Sequence, residues 1–337
     1  MLNRSAAPVK PRLTNFVGIR TLLEMSTDGL LWTVFGALVV VMLALDLGVF
    51  HRRARAISFK EAAGWSAVWI ALALGFAGLV AHCRGEEAGL QFLTGYIIEE
   101  SLSVDNLFVF LMLFAYFAVP AEHQHSVLFW GILGAMGFRA IFIVAGVALL
   151  QQIHWVIYIF GAILIVSGVK MVMANDQEIQ PEKNLILRLF RRLVPVTPDY
   201  VGGRFLVRRD GRMWATPLLL VLVVVETMDL VFAVDSIPAV LAITQDKLIV
   251  YTSNIFAVMG LRALYFALQG VMGLFHRLHY GLCAILVLIG LKMLLSSACP
   301  VPTGVALGVV AGILALAVAS SLIWPKKKAE IPLQKVG

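Results

Sequence analysis

The sequence has little charge for its length. Only 14% of its 337 residues are Asp, Glu, Lys or Arg, whereas 60% are hydrophobic, and the mean hydropathy is +0.90. A soluble domain carries about 25% charged and about 45–50% apolar residues, so this chain cannot hide its apolar surface in globular cores. The composition excludes a soluble enzyme and a disordered scaffold and indicates a lipid bilayer. It also removes the nucleic-acid interpretation of the net charge of +7, because Lys and Arg gather in membrane loops for topological reasons.

Cysteine is also scarce. The three cysteines, Cys83, Cys283 and Cys299, are scattered, with no C-x-x-C pair and no His/Cys cluster at zinc spacing. A disulfide framework, a soft-metal site and a thioredoxin-like redox motif are therefore unsupported. We expect Cys283 to pack as a small hydrophobic residue within a helix.

Long apolar segments are present instead. Segments of about 18 or more mostly apolar residues can cross the hydrocarbon core, and we find nine of them: 30–50, 64–83, 89–118, 126–150, 153–174, 216–240, 248–270, 281–298 and 303–324. With the N-terminus outside, the cytoplasmic segments hold 17 Lys and Arg and the outer segments hold six, a clear positive-inside bias. We therefore predict an all-α polytopic protein of the bacterial inner membrane, with the C-terminus in the cytoplasm.

The chain then divides into an outer tail, two leading helices, a three-helix unit, a basic cytoplasmic loop, a second three-helix unit, a last helix and a basic cytoplasmic tail: 1–29, 30–83, 84–174, 175–215, 216–298, 299–324 and 325–337. The outer tail lacks the cleavage site of a signal peptide. In the basic loop, 185–194 reads as a short amphipathic helix on the inner leaflet. Residues 204–214 read as a hairpin turning at Asp210-Gly211. The basic charge of the loop fits either contact with anionic lipid or binding of a partner.

Three strings recur in the same order in the two three-helix units. SVDNLFVF (103–110) matches AVDSIPAV (233–240), GFRAIF (137–142) matches GLRALY (260–265), and YIFGAILIVSGVKM (158–171) matches YGLCAILVLIGLKM (280–293). The offsets are 130, 123 and 122 residues. Because each unit has an odd number of spans, the second copy must insert upside down. This inverted repeat is typical of secondary transporters, whose substrate site lies near the midplane between the repeats.

Seven acidic residues fall inside the predicted spans: Asp46, Glu99, Glu100, Asp105, Glu226, Asp229 and Asp235. A mid-span Asp costs about 2.5 to 3.5 kcal/mol even on permissive scales, so a cluster of this size indicates a function rather than packing. In the alignment of the repeats, Glu99 matches Asp229 and Asp105 matches Asp235. Glu226 and Asp229 are three residues apart and share a helix face.

Two features of these segments predict broken helices and an oxygen-rich site. The run 89–118 would be about 45 Å long as a helix, more than the core requires, and Pro238 would free backbone carbonyls in the preceding turn. With Asn106 and Ser236 beside the carboxylates, all ligands would be oxygens, which suits Mg²⁺, Ca²⁺ or Mn²⁺. Copper and zinc favour Cys and His, which are absent from these two segments.

The basic residues within the spans have two interpretations. Arg139 and Arg262 lie at equivalent places in the two repeats. They either neutralise the acidic cluster between transport events or form a structural ion pair within each repeat. Lys170 and Lys292 are expected to snorkel from the ends of their spans. The histidines of the loops and helix ends are expected to be solvated: His123, His125, His276 and His279.

The sequence resembles the TerC family of integral membrane proteins, in particular its Alx branch. The resemblance rests on LTGYIIE (93–99), EESLSVDNLFVFLMLF (99–114), ATPLLLVLVVVETMDLVFAVDSIPAV (215–240) and SNIFAVMGLRALYF (253–266), and it extends from about Leu31 to Trp324. It implies a relation to small cation and amino-acid exporters, with manganese export and, historically, tellurium resistance. The positions that match the family are Asp46, Glu99, Asp105, Asn106, Glu226, Asp229, Asp235 and Ser236. Relatives can carry another residue at Glu100, and residues 1–24 lie outside the resemblance.

These observations favour an exporter of Mn²⁺, or of Ca²⁺ or Mg²⁺, that works by alternating access. Asp105 and Asp235, one from each repeat, would be the central ligands, with Glu99, Glu226, Asp229, Asn106, Ser236 and Asp46 completing the site. We expect no enzymatic activity and no permanently bound cofactor. The alternatives are a membrane redox or tellurite-response protein without transport activity, and a passive channel.

Proton exchange is the expected coupling. Seven ionised carboxylates around an empty site, with two arginines, would leave a charge of about −5, which the bilayer interior does not allow. Some of them are therefore expected to hold protons when no cation is bound, and a cation would displace those protons. This predicts a Mn²⁺/H⁺ antiporter with the lipid bilayer, a divalent cation and protons as its partners.

Overall fold

The computed structural model describes residues 14–45, 59–153, 155–173, 185–209, 211–269, 278–295 and 301–323, with the backbone alone for 14–26, 105, 185 and 269. Asp46, His276 and Cys299 lie outside the described residues. Within them the chain forms ten helices and two strands, in the order α1 (Thr14–Leu45), α2 (Phe59–Arg84), α3 (Glu86–Tyr116), α4 (Ala121–Gln152), α5 (Val156–Met173), α6 (Leu185–Leu193), β1 (Leu206–Arg209), β2 (Arg212–Ala215), α7 (Pro217–Leu241), α8 (Lys247–Gln269), α9 (Leu278–Leu294) and α10 (Thr303–Ile323).

The all-α polytopic membrane fold is confirmed. Each of the nine predicted segments overlaps one helix, and in the described part of the chain seven helices are long and apolar enough to cross a membrane. The remaining two predicted segments correspond to α9, which has 17 residues, and to α3, which is 31 residues long and rich in acidic side chains. The count of nine spans and the inverted repeat stay predictions.

Helix α8 lies at the centre of the bundle. In α8, 89% of the most apolar stretch is buried, against 39% or less in the other six helices. α8 packs against α2, α3 and α4, whereas α10 exposes large apolar side chains such as Leu316 and Ile323. An exposed apolar surface suits lipid rather than water, so the outer helices provide the membrane-facing surface.

Local sequence signals explain where the helices near the centre begin. Gly85, with φ of +96°, is the single residue between α2 and α3; glycine accepts this conformation without steric cost. Asp246 precedes α8, and its Oδ1 accepts hydrogen bonds from the backbone N–H groups of Leu248 (2.9 Å) and Ile249 (3.2 Å). Arg84 Nη1 donates to the other oxygen of Asp246 at 2.5 Å. Asp246 therefore caps α8 and ties it to the end of α2.

Small residues let α5 and α9 approach closely. A Cβ on Gly161 would lie 2.9 Å from the carbonyl oxygen of Gly290, and a Cβ on Gly168 would lie 2.9 Å from that of Cys283. These contacts pair early residues of α5 with late residues of α9, so the two helices run antiparallel. Close approach at small residues is a common way to pack helices in membranes.

The helix contacts are reciprocal between the two repeats. With the offset of 122, Gly161 corresponds to Cys283 and Gly168 to Gly290, so the 161–290 and 168–283 contacts exchange under the repeat. In the same way α3 packs on α8 and α4 packs on α7. This arrangement is compatible with a two-fold relation between the repeats.

The helix and the hairpin predicted in the loop are confirmed, and the position of the helix on the inner leaflet stays a prediction. Residues 185–193 form α6, and the antiparallel pairing of β1 with β2 forms the hairpin; Asp210 lies outside the described residues. The loop packs against the bundle, because the Tyr200 hydroxyl donates a hydrogen bond of 2.7 Å to the carbonyl oxygen of Phe117 at the end of α3. Burial there raises the pKa of Tyr200.

The prediction of broken helices is wrong. Both α3 and α7 are continuous, and Pro238 lies inside α7. Pro238 is three residues before the last residue of α7, so the hydrogen bond that it removes belongs to the final turns and the helix survives. All 31 residues of α3 form one uninterrupted helix.

Candidate functional site

A buried arginine occupies the centre of the candidate site. Arg139, in the middle of α4, is fully buried. Its guanidinium binds Asp229 of α7 through two hydrogen bonds, Nη2 to Oδ1 at 3.0 Å and Nε to Oδ2 at 3.3 Å. It also forms an ion pair with the buried Glu99 of α3. One arginine therefore joins one carboxylate from each predicted repeat.

Two uncharged side chains complete this central cluster, which consists of Glu99, Arg139, Asp229, Ser236 and Asn254. Asn254 of α8 accepts a hydrogen bond from Arg139 Nη1 at 2.9 Å and donates one to Oε2 of Glu99 at 2.9 Å. Ser236 Oγ lies 3.5 Å from Arg139 Nη1. The sequence analysis missed Asn254, although an amide within an otherwise apolar span was a usable signal.

The electrostatics of the central cluster favour binding of a cation. Two carboxylates and one guanidinium leave a formal charge of −1 when all are ionised. A buried charge is costly unless it is paired and hydrogen-bonded, and here Arg139 supplies the pairing. The oxygens around it are carboxylate, amide and hydroxyl oxygens, which are the ligands that hard divalent cations prefer.

Arg139 also explains why no metal geometry is preformed. Over the described ranges, no group of three or more His, Cys, Asp or Glu side chains stands close enough to hold a metal ion. The guanidinium lies between Glu99 and Asp229, so a cation that bound both would have to displace it.

Two further predicted residues have incomplete hydrogen bonding. Asn106 of α3 is buried, and its amide nitrogen has no hydrogen-bond partner. Glu226 lies on the same face of α7 as Asp229, and its buried Oε2 likewise has no hydrogen-bond partner. The Glu226 carboxyl group occupies the space next to Gly134 of α4, where a Cβ would overlap it.

Other predicted site residues lie elsewhere. Asp235 accepts a hydrogen bond of 2.6 Å from Ser167 of α5; six residues after Asp229, it points from another face of α7. The side chain of Asp105 and all of Asp46 lie outside the described residues. The ligand roles of these three residues stay predictions. Glu100 lies near Gly260 and Trp69, on a different side of α3 from Glu99.

The second arginine has different surroundings. Arg262 of α8 is buried, and its Nη1 lies 3.1 Å from Nε2 of His125 on α4. His279 contacts the carbonyl oxygen of Met171 at 2.7 Å. His125 and His279 are therefore half-buried and in polar contact rather than fully solvated, because helix ends pack against each other at this side of the bundle.

Comparison with known proteins identifies the family. The profile of the integral membrane protein TerC family matches residues 84–329. "Uncharacterized membrane protein STKORF319" of Myxococcus xanthus is 52% identical over 293 residues, covering 87% of this chain and 92% of its own length. "Putative membrane-bound redox modulator Alx" of Escherichia coli K12 is 48% identical over 303 residues, covering 87% and 94%. A membrane protein of Rickettsia bellii is 36% identical over 292 residues, covering 87% and 97%.

No solved structure matches the chain. The family profile covers most of the chain, and the relatives match it over nearly their full length. The chain belongs to the integral membrane protein TerC family.

Proposed function

We propose that this TerC-family protein exports a divalent cation, with Mn²⁺ as its main substrate, by alternating access across the bacterial inner membrane. The observation that carries the proposal is the ion pairing of one buried arginine with carboxylates from both predicted repeats. Secondary transporters with inverted repeats place their substrate between the repeats. At this position two carboxylates stabilise the positive charge of a buried guanidinium.

The cation would take the position of Arg139. Glu99 and Asp229 would supply charged oxygens, and the amide oxygen of Asn254 and the hydroxyl of Ser236 would supply neutral ones. Replacing one positive charge by a divalent cation changes the formal charge of the carboxylate pair from −1 to 0. If the cation and the guanidinium alternate, the two buried carboxylates have a positive partner in both states.

Glu226 is the proposed carrier of the exchanged proton. It is half-buried, one helix turn from Asp229, and Oε2 has no hydrogen-bond partner. A carboxylate in this setting is costly when ionised, and a nearby divalent cation would favour release of its proton. Export of Mn²⁺ with import of protons follows. The protein acts in this proposal as a carrier, without enzymatic chemistry and without a resident cofactor.

Whole-cell elemental analysis tests the proposal. A strain that lacks the gene should accumulate Mn²⁺ under manganese challenge, and the wild-type gene should restore the normal content. Asp229→Asn should fail to restore it, whereas Glu122→Gln should restore it, since Glu122 is an exposed carboxylate in the first turn of α4. Normal manganese in the challenged null strain would reject manganese export.

The name of the Escherichia coli relative favours a second candidate, a membrane protein that modulates redox state. In the described part of this chain, Cys83 is half-buried and Cys283 is buried, and neither forms a disulfide. A thiol-based redox function predicts that replacing Cys83, Cys283 and Cys299 by Ser abolishes activity. Export predicts that the triple variant still lowers cellular manganese.

A further inference from the structure

We infer that Arg139 and Arg262 exchange as counterions of one acid pair. Arg139 holds Glu99 and Asp229 in the conformation described here, and Arg262 holds them in the conformation that opens to the opposite side of the membrane. The inference deepens the proposed function and rests on it, because it assumes alternating access between two repeats.

The acid pair maps onto itself under the repeat. With the offset of 130, Glu99 corresponds to Asp229, and with the offset of 123, Arg139 corresponds to Arg262. Exchanging the two repeats therefore leaves the same two carboxylates in place but replaces one arginine by the other. The sequence supplies two equivalent arginines for a single pair of acids.

The two arginines have different partners in the structure. Glu99 and Asp229 both form their ion pairs with Arg139, while Arg262 contacts His125. The helix packing around them is reciprocal, since α3 packs on α8 and α4 packs on α7, and these two helix pairs exchange under the repeat. In inverted-repeat carriers, the repeats move against each other around a fixed site. The opposite conformation is thus expected to give Arg262 the present role of Arg139.

Arg262 belongs to a helix that packs along α3. Gly95 of α3 faces Ser253 of α8, and a Cβ on Gly260 would lie 3.9 Å from the carboxylate of Glu100. The two helices therefore run side by side in the same direction, and Arg262 lies within one helix turn of the level of Glu100. Leu261, the residue before Arg262, lines a small cavity together with Asp229.

Asn106 provides an independent sign of the second state. It is the repeat counterpart of Ser236, which lies beside Arg139 here. Asn106 is buried, and its amide nitrogen has no hydrogen-bond partner, an arrangement that costs free energy in a single-state protein. Asn254 accepts from Arg139 and donates to Glu99 here; in the exchanged state Asn106 would likewise accept from Arg262 with its carbonyl oxygen and donate to the acid pair with its amide nitrogen.

Distance measurements between spin labels test the exchange without any transported ion. One label pair would sit at Gln151 and Lys247, at one end of the bundle, and a second at Glu122 and Tyr280, at the other end; all four positions are exposed. The full-length protein would be measured in lipid nanodiscs with a chelator present. Arg139→Gln should deplete the distances of the present structure, and Arg262→Gln should enrich them, each changing the population ratio by at least about tenfold.

Three controls make the result decisive. Arg188→Gln, on the exposed face of α6, should leave the distances unchanged. Arg139→Lys and Arg262→Lys keep the charge and should retain both populations, which guards against misfolding of the Gln variants. In a Glu99→Gln/Asp229→Asn background, neither arginine substitution should shift the ratio, because the shared acid pair is gone.

Two outcomes would overturn the exchange: identical distances in Arg139→Gln and wild type, or a shift that persists without the acid pair. Opposite shifts in a protein that moves no Mn²⁺ in liposomes would instead reject the proposed cargo and leave the exchange standing.

Discussion

At the scale of single residues, Arg139 controls the candidate site. It is fully buried, and it contacts residues of α3, α7 and α8. Removing one partner of a buried ion pair typically costs about 3–5 kcal/mol, because the remaining charge is left uncompensated. Arg139 is therefore a stabilising residue and, under the proposed function, a competitor of the cation.

The two roles of Arg139 predict opposite effects of one substitution. Arg139→Gln should lower the Tm of the purified protein in chelator, and added Mn²⁺ should raise the Tm of this variant more than that of the wild type, because the guanidinium that lies between Glu99 and Asp229 in the present conformation is gone. Thermal melts monitored by tryptophan fluorescence would measure both effects. A variant that also carries Asp229→Asn should lose the response, and an equal Mn²⁺ response in wild type and Arg139→Gln would contradict the competition.

Gly134 provides a second prediction at this scale. A Cβ at this position would overlap the Glu226 carboxyl group, so Gly134→Ala should displace the proposed proton carrier and reduce Mn²⁺ export severalfold. Gly137→Ala, one turn later on α4, is the matched control, since its Cβ would meet nothing within 4 Å. Export assays in inverted vesicles would compare the two, and equal rates would remove Glu226 from the pathway.

At the scale of helices, Asp246 connects two elements at one end of the bundle. It caps α8 with its Oδ1 and receives Arg84 Nη1 at 2.5 Å with its Oδ2. Arg84 also donates through Nε to Asp28 of α1 at 2.8 Å. The start of the most buried helix therefore depends on one side chain at the surface.

Two substitutions separate the two functions of Asp246. Asp246→Ala should reduce the free energy of unfolding by about 0.5–2 kcal/mol through loss of the cap, with a further loss from the ion pair. Asp246→Asn keeps an oxygen for the cap and should lose less. Denaturation in detergent would compare the free energies of unfolding of the two variants. A larger loss for Asp246→Asn than for Asp246→Ala would contradict the capping role.

The helices also show what sequence reasoning can and cannot predict. The amphipathic helix at 185–193 and the hairpin at Asp210-Gly211 were predictable, because both depend on local patterns. The continuity of α3 and α7 was not predictable. Pro238 lies so close to the end of α7 that the helix stays intact, and the sequence alone does not show where α7 ends. The charge pattern predicted Glu99, Asp229 and Arg139 as site residues, but only packing could show that Arg139 joins both acids while Asp235 turns toward Ser167.

At the scale of the whole molecule, the start of the chain is expected to be dispensable. Residues 1–24 lie outside the family resemblance and carry four of the six basic residues predicted to be outside. A chain that begins at Met25 retains Asp28, which pairs with Arg84, and has a cleaner charge bias of 17 against two. It should insert and export normally in a complementation assay, and loss of either property would show that the tail is needed.

The proposed coupling is also a property of the whole molecule. If protons enter as Mn²⁺ leaves, an imposed pH gradient alone should drive Mn²⁺ uphill in proteoliposomes, and addition of Mn²⁺ should release protons. Both can be followed with dyes at clamped membrane potential. Mn²⁺ transport that ignores the pH gradient would exclude proton exchange while leaving the binding site in place.

The most direct test of the account is transport of Mn²⁺ by the purified protein in liposomes, with Asp229→Asn compared with Glu122→Gln. Both substitutions neutralise one carboxylate, but Asp229 is buried against Arg139, whereas Glu122 is exposed at a helix end. The account predicts that the wild type and Glu122→Gln move Mn²⁺ at similar rates and that Asp229→Asn loses transport by at least about tenfold. Equal rates in all three proteins, or no Mn²⁺ movement in the wild type, would contradict it.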